Sequence, residues 1–334
     1  MARLYRRSAF GPLFALSGSA QDTPSRRETA LSRSVKPFKE NPVSTTENLT
    51  RYAAAAALTT SLAACAGPGV GNDAVQFQHI RNATIKLSYA GTTFLVDPML
   101  AKKGAYPGFE GTYNSQLRNP LVELPLPLAE VMKADAIVVT HTHLDHWDDA
   151  AKQGLPKDMP IFTQNEDDAQ SIRKDGFTNV RSLDANTVFK GTRLIRTGGQ
   201  HGTDRMMRVK PLAALLGTAS GIVFEREGYK RVYVAGDTIW NGDVEAAITR
   251  FQPDVIVLNT GYARVTGMDG SIIMGKEDLY KAYQLAPKAT VVGIHMEAVN
   301  HAMQTRQDMR DYIAGMKMDA QRVLVPADGE SYRF

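Results

Sequence analysis

The chain is 334 residues long, room for one large domain or two ordinary ones. Hydrophobic residues make up 43% and charged residues 22%, which excludes a wholly disordered chain, a fibrous repeat and a multi-span membrane protein. The single cysteine, Cys65, excludes an internal disulfide and a Cys-rich zinc finger. The net charge of +4 sits wholly in residues 1–75, where nine Lys/Arg face five Asp/Glu, so the rest of the chain gives no electrostatic argument for a nucleic-acid partner.

In chain order, residues 1–75 read as a targeting leader rather than a folded domain. Ser17–Thr50 is rich in Ser, Thr, Pro, Arg and Glu without helical or strand periodicity, which predicts disorder. Arg51 then precedes Tyr52–Leu62, an uncharged apolar run of eleven residues, too short to span a bilayer but suited to a signal-peptide core. It ends in Leu62-Ala63-Ala64-Cys65, which resembles a bacterial lipobox and implies a lipid anchor on Cys65 and a periplasmic domain. A leader of this length exceeds an ordinary signal peptide, which a start at Val43 would resolve. Arg6-Arg7 with Phe10–Ser17 is a weaker twin-arginine look-alike. The alternative is an Ala-rich linker that happens to contain a Cys, and a cytoplasmic enzyme.

Residues 76–334 read as one domain. Strands are predicted at Thr84–Ser88, Thr93–Val96, Ala136–Thr140, Pro160–Thr163, Thr192–Thr197, Gly221–Glu225, Arg231–Ala235, Val255–Asn259, Thr290–Ile294 and Arg322–Val325. Helices are predicted at Leu126–Lys133, Asn165–Lys174, Asp243–Phe251, Lys276–Leu285 and Thr305–Met316. Strands interleaved with helices give a layered α/β domain. Met99–Pro127 and Gly202–Ser220 show no clear periodicity and read as long functional loops.

The chemistry concentrates in Ala136-Ile-Val-Val-Thr-His141-Thr-His143-Leu-Asp145-His146, where a buried strand runs into three histidines and an aspartate. Imidazole and carboxylate suit Zn²⁺ and similar divalent ions. Histidines at i and i+2 on an extended segment point the same way, so His141 and His143 are placed to share one ion. Asp145 and His146 begin the next turn and face a second. His201 follows the Thr192 strand, Asp237 ends Val234-Ala-Gly-Asp, and His295 caps Thr290-Val-Val-Gly-Ile. Three further strand ends delivering His, Asp and His would build a site along one sheet edge.

With Leu95-Val-Asp97-Pro98 added, these five motifs resemble the metallo-β-lactamase superfamily across about residues 76–334. The resemblance implies a four-layer αββα sandwich with a dinuclear site. One metal would take His141, His143 and His201. The other would take Asp145, His146 and His295, with Asp237 between them and Asp97 supporting the ligand loop. Within the superfamily, Val138-Val-Thr-His-Thr-His-Leu-Asp-His-Trp-Asp and Val325-Pro-Ala-Asp-Gly-Glu330 look most like the branch of ascorbate-6-phosphate lactonase and N-acylphosphatidylethanolamine phospholipase D-like enzymes.

The expected activity is hydrolysis of a small ester, lactone or phosphoester by a metal-bridging hydroxide, two divalent ions bringing the pKa of water to about 7. Asp145 would pass a proton to the leaving group. Zn²⁺ is the expected metal, with Mn²⁺ or Fe²⁺ compatible with the same ligands. The alternatives are a phosphodiesterase on lipid-derived substrates and a non-catalytic metal-binding periplasmic protein. The partner is a small-molecule substrate, and the sequence sets neither its identity nor the oligomeric state. His79 reads as a surface residue before the first strand. His301 lies six residues past His295, near enough for a substrate contact. Tyr106, Arg118, Trp147, Trp240, Tyr262 and Arg264 are further substrate-contact candidates, each with a structural role as the plainer reading.

Overall fold

Strands that read as unbroken apolar runs need cover on both faces, and a computed structural model, which describes residues 74–334, supplies it. The leader, its Tyr52–Leu62 run and the Cys65 motif lie outside the described residues. β1 (Gln76–Arg81), β2 (Thr84–Tyr89) and β3 (Thr92–Val96) form an antiparallel meander. β4 (Ala136–Val139), β5 (Ile161–Thr163) and β6 (Val180–Ser182) extend it in parallel, with α1 (Leu128–Val131), α2 (Asp149–Gly154) and α3 (Glu166–Lys174) between them. A second sheet runs through β7 (Val188–Phe189), β8 (Thr192–Arg196), β9 (Ile222–Glu225), β10 (Val232–Val234), β11 (Val255–Asn259), β12 (Thr290–Ile294) and β13 (Val323–Leu324). Its helices are α4 (Asp204–Met207), α5 (Lys210–Leu216), α6 (Gly242–Phe251), α7 (Lys276–Leu285) and α8 (Arg306–Gly315). β14 (Ser331–Arg333) returns to the first sheet and pairs with β1.

Among the described residues each sheet therefore has seven strands, ordered β14-β1-β2-β3-β4-β5-β6 and β13-β12-β11-β10-β9-β8-β7. The period-2 alternation of side chains decides what each face meets. In β4, Ala136 and Val138 join Phe94, Phe162, Phe224 and Val257 between the sheets. Ile137 and Val139 turn outward to Trp147, Ala151 and Ile172 under the flanking helices. In β11, Val255 and Val257 face inward while Ile256 and Leu258 meet Val244, Leu279 and Met309 of α6, α7 and α8. The result is the predicted αββα sandwich. Among the described residues no helix is long and apolar enough to cross a membrane.

Several features depart from the sequence reading. Gly202–Ser220 is not a bare loop: it contains α4 and α5, closed over a small cluster of Met206, Leu216, Ala263, Ile272 and Ile273. Both helices are short enough to leave too few turns for a visible period. His79 is not on the surface. It is fully buried in β1, with Nε2 3.0 Å from the Asn82 carbonyl and Nδ1 3.3 Å from that of Ala327. β1, β6, β7, β14 and α2 are absent from the predicted elements: the polar residues of Gln76-Phe-Gln-His-Ile-Arg hide the alternation of β1, the other three strands are only two or three residues long, and α2 has six residues. Met99–Pro127 does lack helices and strands, carrying only the isolated bridges Tyr106↔Asn119 and Thr112↔Val265. It is pinned by Arg81, whose guanidinium donates to the carbonyls of Val122, Met99 and Ala101, and by Asp148, which accepts from the amides of Leu100 and Ala101.

Candidate metal centre

The strand ends deliver the polar residues to one edge of the sandwich. β4 runs into His141 and His143, and the following turn, closed by the His146 and Trp147 amides on the His143 carbonyl at 2.9 and 2.8 Å, carries Asp145 and His146. β8 leads to His201, β10 to Asp237 and β12 to His295. Two approaches require glycine. A Cβ at Gly236, beside Asp237, would lie 2.5 Å from the Ser220 carbonyl oxygen, and one at Gly261 would lie 2.1 Å from that of His295. His295, Asp97 and Asn82 take φ of 64°, 47° and 57°, left-handed values that residues with a Cβ adopt at a cost and that cluster where function fixes the backbone.

The donor atoms fall into two groups, His141, His143 and His201, and Asp145, His146, Asp237 and His295, the atoms of each within 4.8 Å of one another. Asp237 faces both: its Oδ2 lies 3.1 Å from His146 Nε2, 3.9 Å from His141 Nε2 and 3.8 Å from His201 Nε2, and its Oδ1 lies 3.6 Å from His295 Nε2. Imidazole nitrogens confront one another, His141 Nε2 with His143 Nδ1 at 3.0 Å and His295 Nε2 with His146 Nε2 at 3.2 Å. Asp145 Oδ2 is buried with no hydrogen-bond donor, although His295 Nε2 is 3.3 Å away. Converging lone pairs and an orphaned buried carboxylate oxygen are what a protein without a cation avoids. All-nitrogen and oxygen donors without thiolate fit divalent metal ions.

Three of the five rings are anchored through their opposite nitrogen, which fixes their orientation. His146 Nδ1 lies 2.8 Å from Asp97 Oδ2, His201 Nδ1 2.9 Å from the Ile272 carbonyl, and His143 Nε2 3.0 Å from that of Leu215 in α5. Asp97 also accepts from the Thr140 amide and hydroxyl, both at 2.7 Å, so one carboxylate holds the end of β4 and the ligand turn. Asn259 donates to Asp237 Oδ1 at 2.6 Å. Asn82 donates to the Asp145 carbonyl at 3.0 Å and takes the His295 amide on its own carbonyl at 3.0 Å. Sequence reasoning missed Asn82, Asn259 and the two anchoring carbonyls.

Electrostatics divides the groups. Burial, reinforced by the neighbouring His146 and His143, pushes His141 well below its ordinary value, and burial pushes His201 down to about 4. Burial acts the same way on His146 and His295, but Asp237 and its fellow carboxylates outweigh it and raise both rings. Burial opposes ionisation of Asp145 and Asp237, and His146 and His295 nevertheless hold both carboxyls well down. Six buried groups with such displaced titrations are the electrostatic signature of a functional site.

Of the other substrate-contact candidates, most are engaged in structure. Trp147 packs in the outer core against Phe177, Arg118 holds the carbonyls of Gly104 and Ala105, Trp240 donates to Glu245, Arg264 lies over the Tyr113 ring, and the Tyr106 hydroxyl accepts from the Ala150 amide. Tyr262 has a φ of 49° and its amide donates to the Met274 carbonyl.

Residues 92–296 match the Beta-lactamase superfamily domain. The UPF0173 protein YddR of Bacillus subtilis is 45% identical over 256 residues, which cover 76% of this chain and 98% of YddR. The chain belongs to the metallo-β-lactamase superfamily and, within it, to the UPF0173 family. A possible metal-dependent hydrolase from Veillonella parvula DSM 2008 superposes with a TM-score of 0.76 at 48% identity, covering 77% of this chain and 98% of that one. An isothiocyanate hydrolase from Delia radicum gut bacteria superposes with a TM-score of 0.75 at 46% identity, covering 78% and 99%. Further UPF0173 relatives are named metal-dependent hydrolases. The protein is a metal-dependent hydrolase with a His/Asp cluster able to bind metal, and a non-catalytic role is set aside.

Proposed function

We propose that the protein is a dinuclear-metal hydrolase of small electrophiles whose substrates include organic isothiocyanates. The observation that carries the dinuclear reading is Asp237, placed within 4 Å of donor nitrogens from both groups. His141, His143 and His201 would hold one ion, Asp145, His146 and His295 the other, and Asp237 would serve both. Zn²⁺ is the ion this donor set suits best, with Mn²⁺ or Fe²⁺ admitted by the same ligand types. Bound there, two divalent ions would supply a nucleophile from water at neutral pH and stabilise developing negative charge. The isothiocyanate reading is supported by the 46% identity to the Delia radicum gut bacterial enzyme over 99% of its length.

The protein's own groups then have defined tasks. The buried second group is shielded from bulk water, and the anchored imidazoles keep their geometry without reorganisation. Asp145, whose Oδ2 has no donor in the protein, takes the proton of the attacking water and returns it to the substrate nitrogen. The overall change consumes one water: R–N=C=S and H₂O give R–NH₂ and carbonyl sulfide. The C–O bond forms as the C=N π bond opens and the nitrogen takes one proton, giving a thiocarbamate, and its C–N bond then breaks as the nitrogen takes the second proton of the water and carbonyl sulfide leaves. Metal-loaded protein incubated with benzyl isothiocyanate is expected to release benzylamine, and Asp237→Ala to abolish the release. Amine formation no faster than in buffer would sink the isothiocyanate reading. A parallel γ-lactone and bis(p-nitrophenyl) phosphate panel tests the ester, lactone and phosphodiester chemistry, and with it the branch of ascorbate-6-phosphate lactonase and phospholipase D-like enzymes.

The location rests on the leader alone. We infer a lipid anchor on Cys65 with the enzyme on the periplasmic side of a membrane, supported by the apolar run Tyr52–Leu62 and the Leu62-Ala63-Ala64-Cys65 motif. Mass spectrometry of native protein tests it: an intact, unmodified peptide from Ser61 to Asp73 would leave a cytoplasmic enzyme.

A further inference from the structure

Of the seven histidines, five converge in the two ligand groups and His79 is bonded to the carbonyls of Asn82 and Ala327. His301 remains. Its side chain is nearly enclosed, with 6% of the residue exposed, and its Nδ1 has no hydrogen-bond partner. A buried ring nitrogen left unpaired is costly and asks for an explanation. The surroundings hold the ring in place. Phe109 stands edge-on to it, the centroids 5.0 Å apart and the planes at 81°. The Arg264 amide donates to the His301 carbonyl at 3.1 Å.

The preceding residue ties this position to the long loop. Asn300 accepts from the Phe109 amide at 3.0 Å and from Asn119 Nδ2 at 2.8 Å, and donates to Thr112 Oγ1 at 2.9 Å and the Tyr113 carbonyl at 2.7 Å. Both heteroatoms of the Asn300 amide are thus spent on holding residues 109–119 against His301. Gly261 ties the segment to the metal centre: a Cβ there would lie 2.1 Å from the His295 carbonyl oxygen and 3.2 Å from Cβ of Ala302, so the chain next to His301 runs beside a ligand residue. Burial pushes the His301 ring down to about 4, so it is uncharged at neutral pH and offers one N–H donor and one acceptor. A neutral imidazole of this kind polarises a substrate without giving up a proton.

We propose that His301 is a further catalytic residue: its ring N–H donates a hydrogen bond to the substrate heteroatom on which negative charge gathers, and the Phe109–Asn300 clamp holds it there. This rests on the hydrolase reading above. For an isothiocyanate the heteroatom is the sulfur or nitrogen, and for a lactone or phosphodiester it is an oxygen. No covalent change occurs at the ring.

The experiment compares His301→Phe, which keeps ring volume and removes the donor, with His301→Gln, which keeps a donor. Both are measured as metal-loaded protein. His301→Phe is expected to lower kcat about 100-fold with KM nearly unchanged, and His301→Gln to recover part of the loss, while both retain wild-type metal content and melting temperature. Titration with thiocyanate ion, which shares the N–C–S skeleton, is expected to show about tenfold weaker binding to His301→Phe. Turnover of His301→Phe within twofold of wild type would overturn the proposal. So would loss of metal or of cooperative melting in both variants, which would make His301 structural. Should wild type ignore benzyl isothiocyanate, the substrate reading fails by itself. His301 is then judged on the lactone or phosphodiester that wild type does hydrolyse, and, if it hydrolyses neither, on thiocyanate binding.

Discussion

The two ligand groups are built on opposite principles. His141, His143 and His201 carry no carboxylate of their own, have two rings pushed toward the neutral form, and rest on backbone carbonyls from α5 and the Ile272 segment. Asp145, His146, Asp237 and His295 are wholly buried, have their histidines pushed toward the charged form, and are braced by the side chains of Asp97, Asn82 and Asn259. The second group is a rigid electrostatic fixture set between strand ends. The first includes the half-exposed His143 and borrows a carbonyl from a helix whose Leu215 is 66% exposed, so it forms the open side of the centre.

The sharpest way to break this contrast is to remove what the groups share. Asp237→Ala should empty both, with metal content falling below one ion per chain and hydrolysis falling more than about 100-fold. Retention of two ions by elemental analysis would show that the groups do not depend on the carboxylate. Next in size, Asp145→Asn should leave the first group intact. Metal content should move from two ions toward one, the fold should persist, and kcat should fall about 100-fold through loss of the proton carrier. Wild-type turnover at full metal content would take Asp145 out of the reaction.

A smaller change tests the bracing. Asp97→Asn keeps the shape but gives up the charge that pairs with His146, and should weaken metal binding 10–100-fold at the second group and less at the first, which it touches only through Thr140. Competition with a fluorescent chelator reads the two affinities separately, and equal weakening of both would contradict the division. The smallest effect is on metal-free protein. His201 is depressed to about 4 in the fold against an ordinary 6.5, so between those values the unfolded chain binds a proton that the native ring refuses. Native stability is therefore lost as pH falls from 6.5 toward 4, with a slope of up to about 1.4 kcal/mol per pH unit from this ring. His201→Gln should flatten urea-melt stability across that window. An unchanged slope would mean that the ring is not buried neutral in the metal-free protein.

How far the sequence reaches follows from the range of each interaction. β11, α7 and β12 were predicted to the residue because their signal is local: an apolar run or an amphipathic period between clear stops. The ligands were legible for a related reason, since each follows directly on a strand or its adjoining turn and chemistry limits which side chains can serve. Asn82 could not be singled out. It sits in a tight turn between β1 and β2, where Asn is unremarkable, and its value comes from meeting Asp145 and His295 across the fold. The carbonyls of Leu215 and Ile272 are beyond any reading of side chains, because every residue has one. His79 misled because a lone histidine beside Arg81 looks solvated until the C-terminal segment covers it.

The return of β14 to β1 also has a bearing on how the chain is made. Gln78 donates to the carbonyl of Gly329, 251 residues further along, and the amide of Phe334 donates to Val75. At roughly 5–20 residues per second, β1 waits on the order of ten seconds or more on the ribosome for its partner strand. Through that interval the edge of the first sheet is open, a template for pairing with other chains. Ligands emerge in the same order: the open group has its three histidines and the shared carboxylate once Asp237 has been translated, whereas the braced group lacks His295 until late. A nascent chain given metal early can fill only the looser half, so loading after release favours a uniform product, and slower translation near the 3′ end of the message should lower yield by prolonging edge exposure.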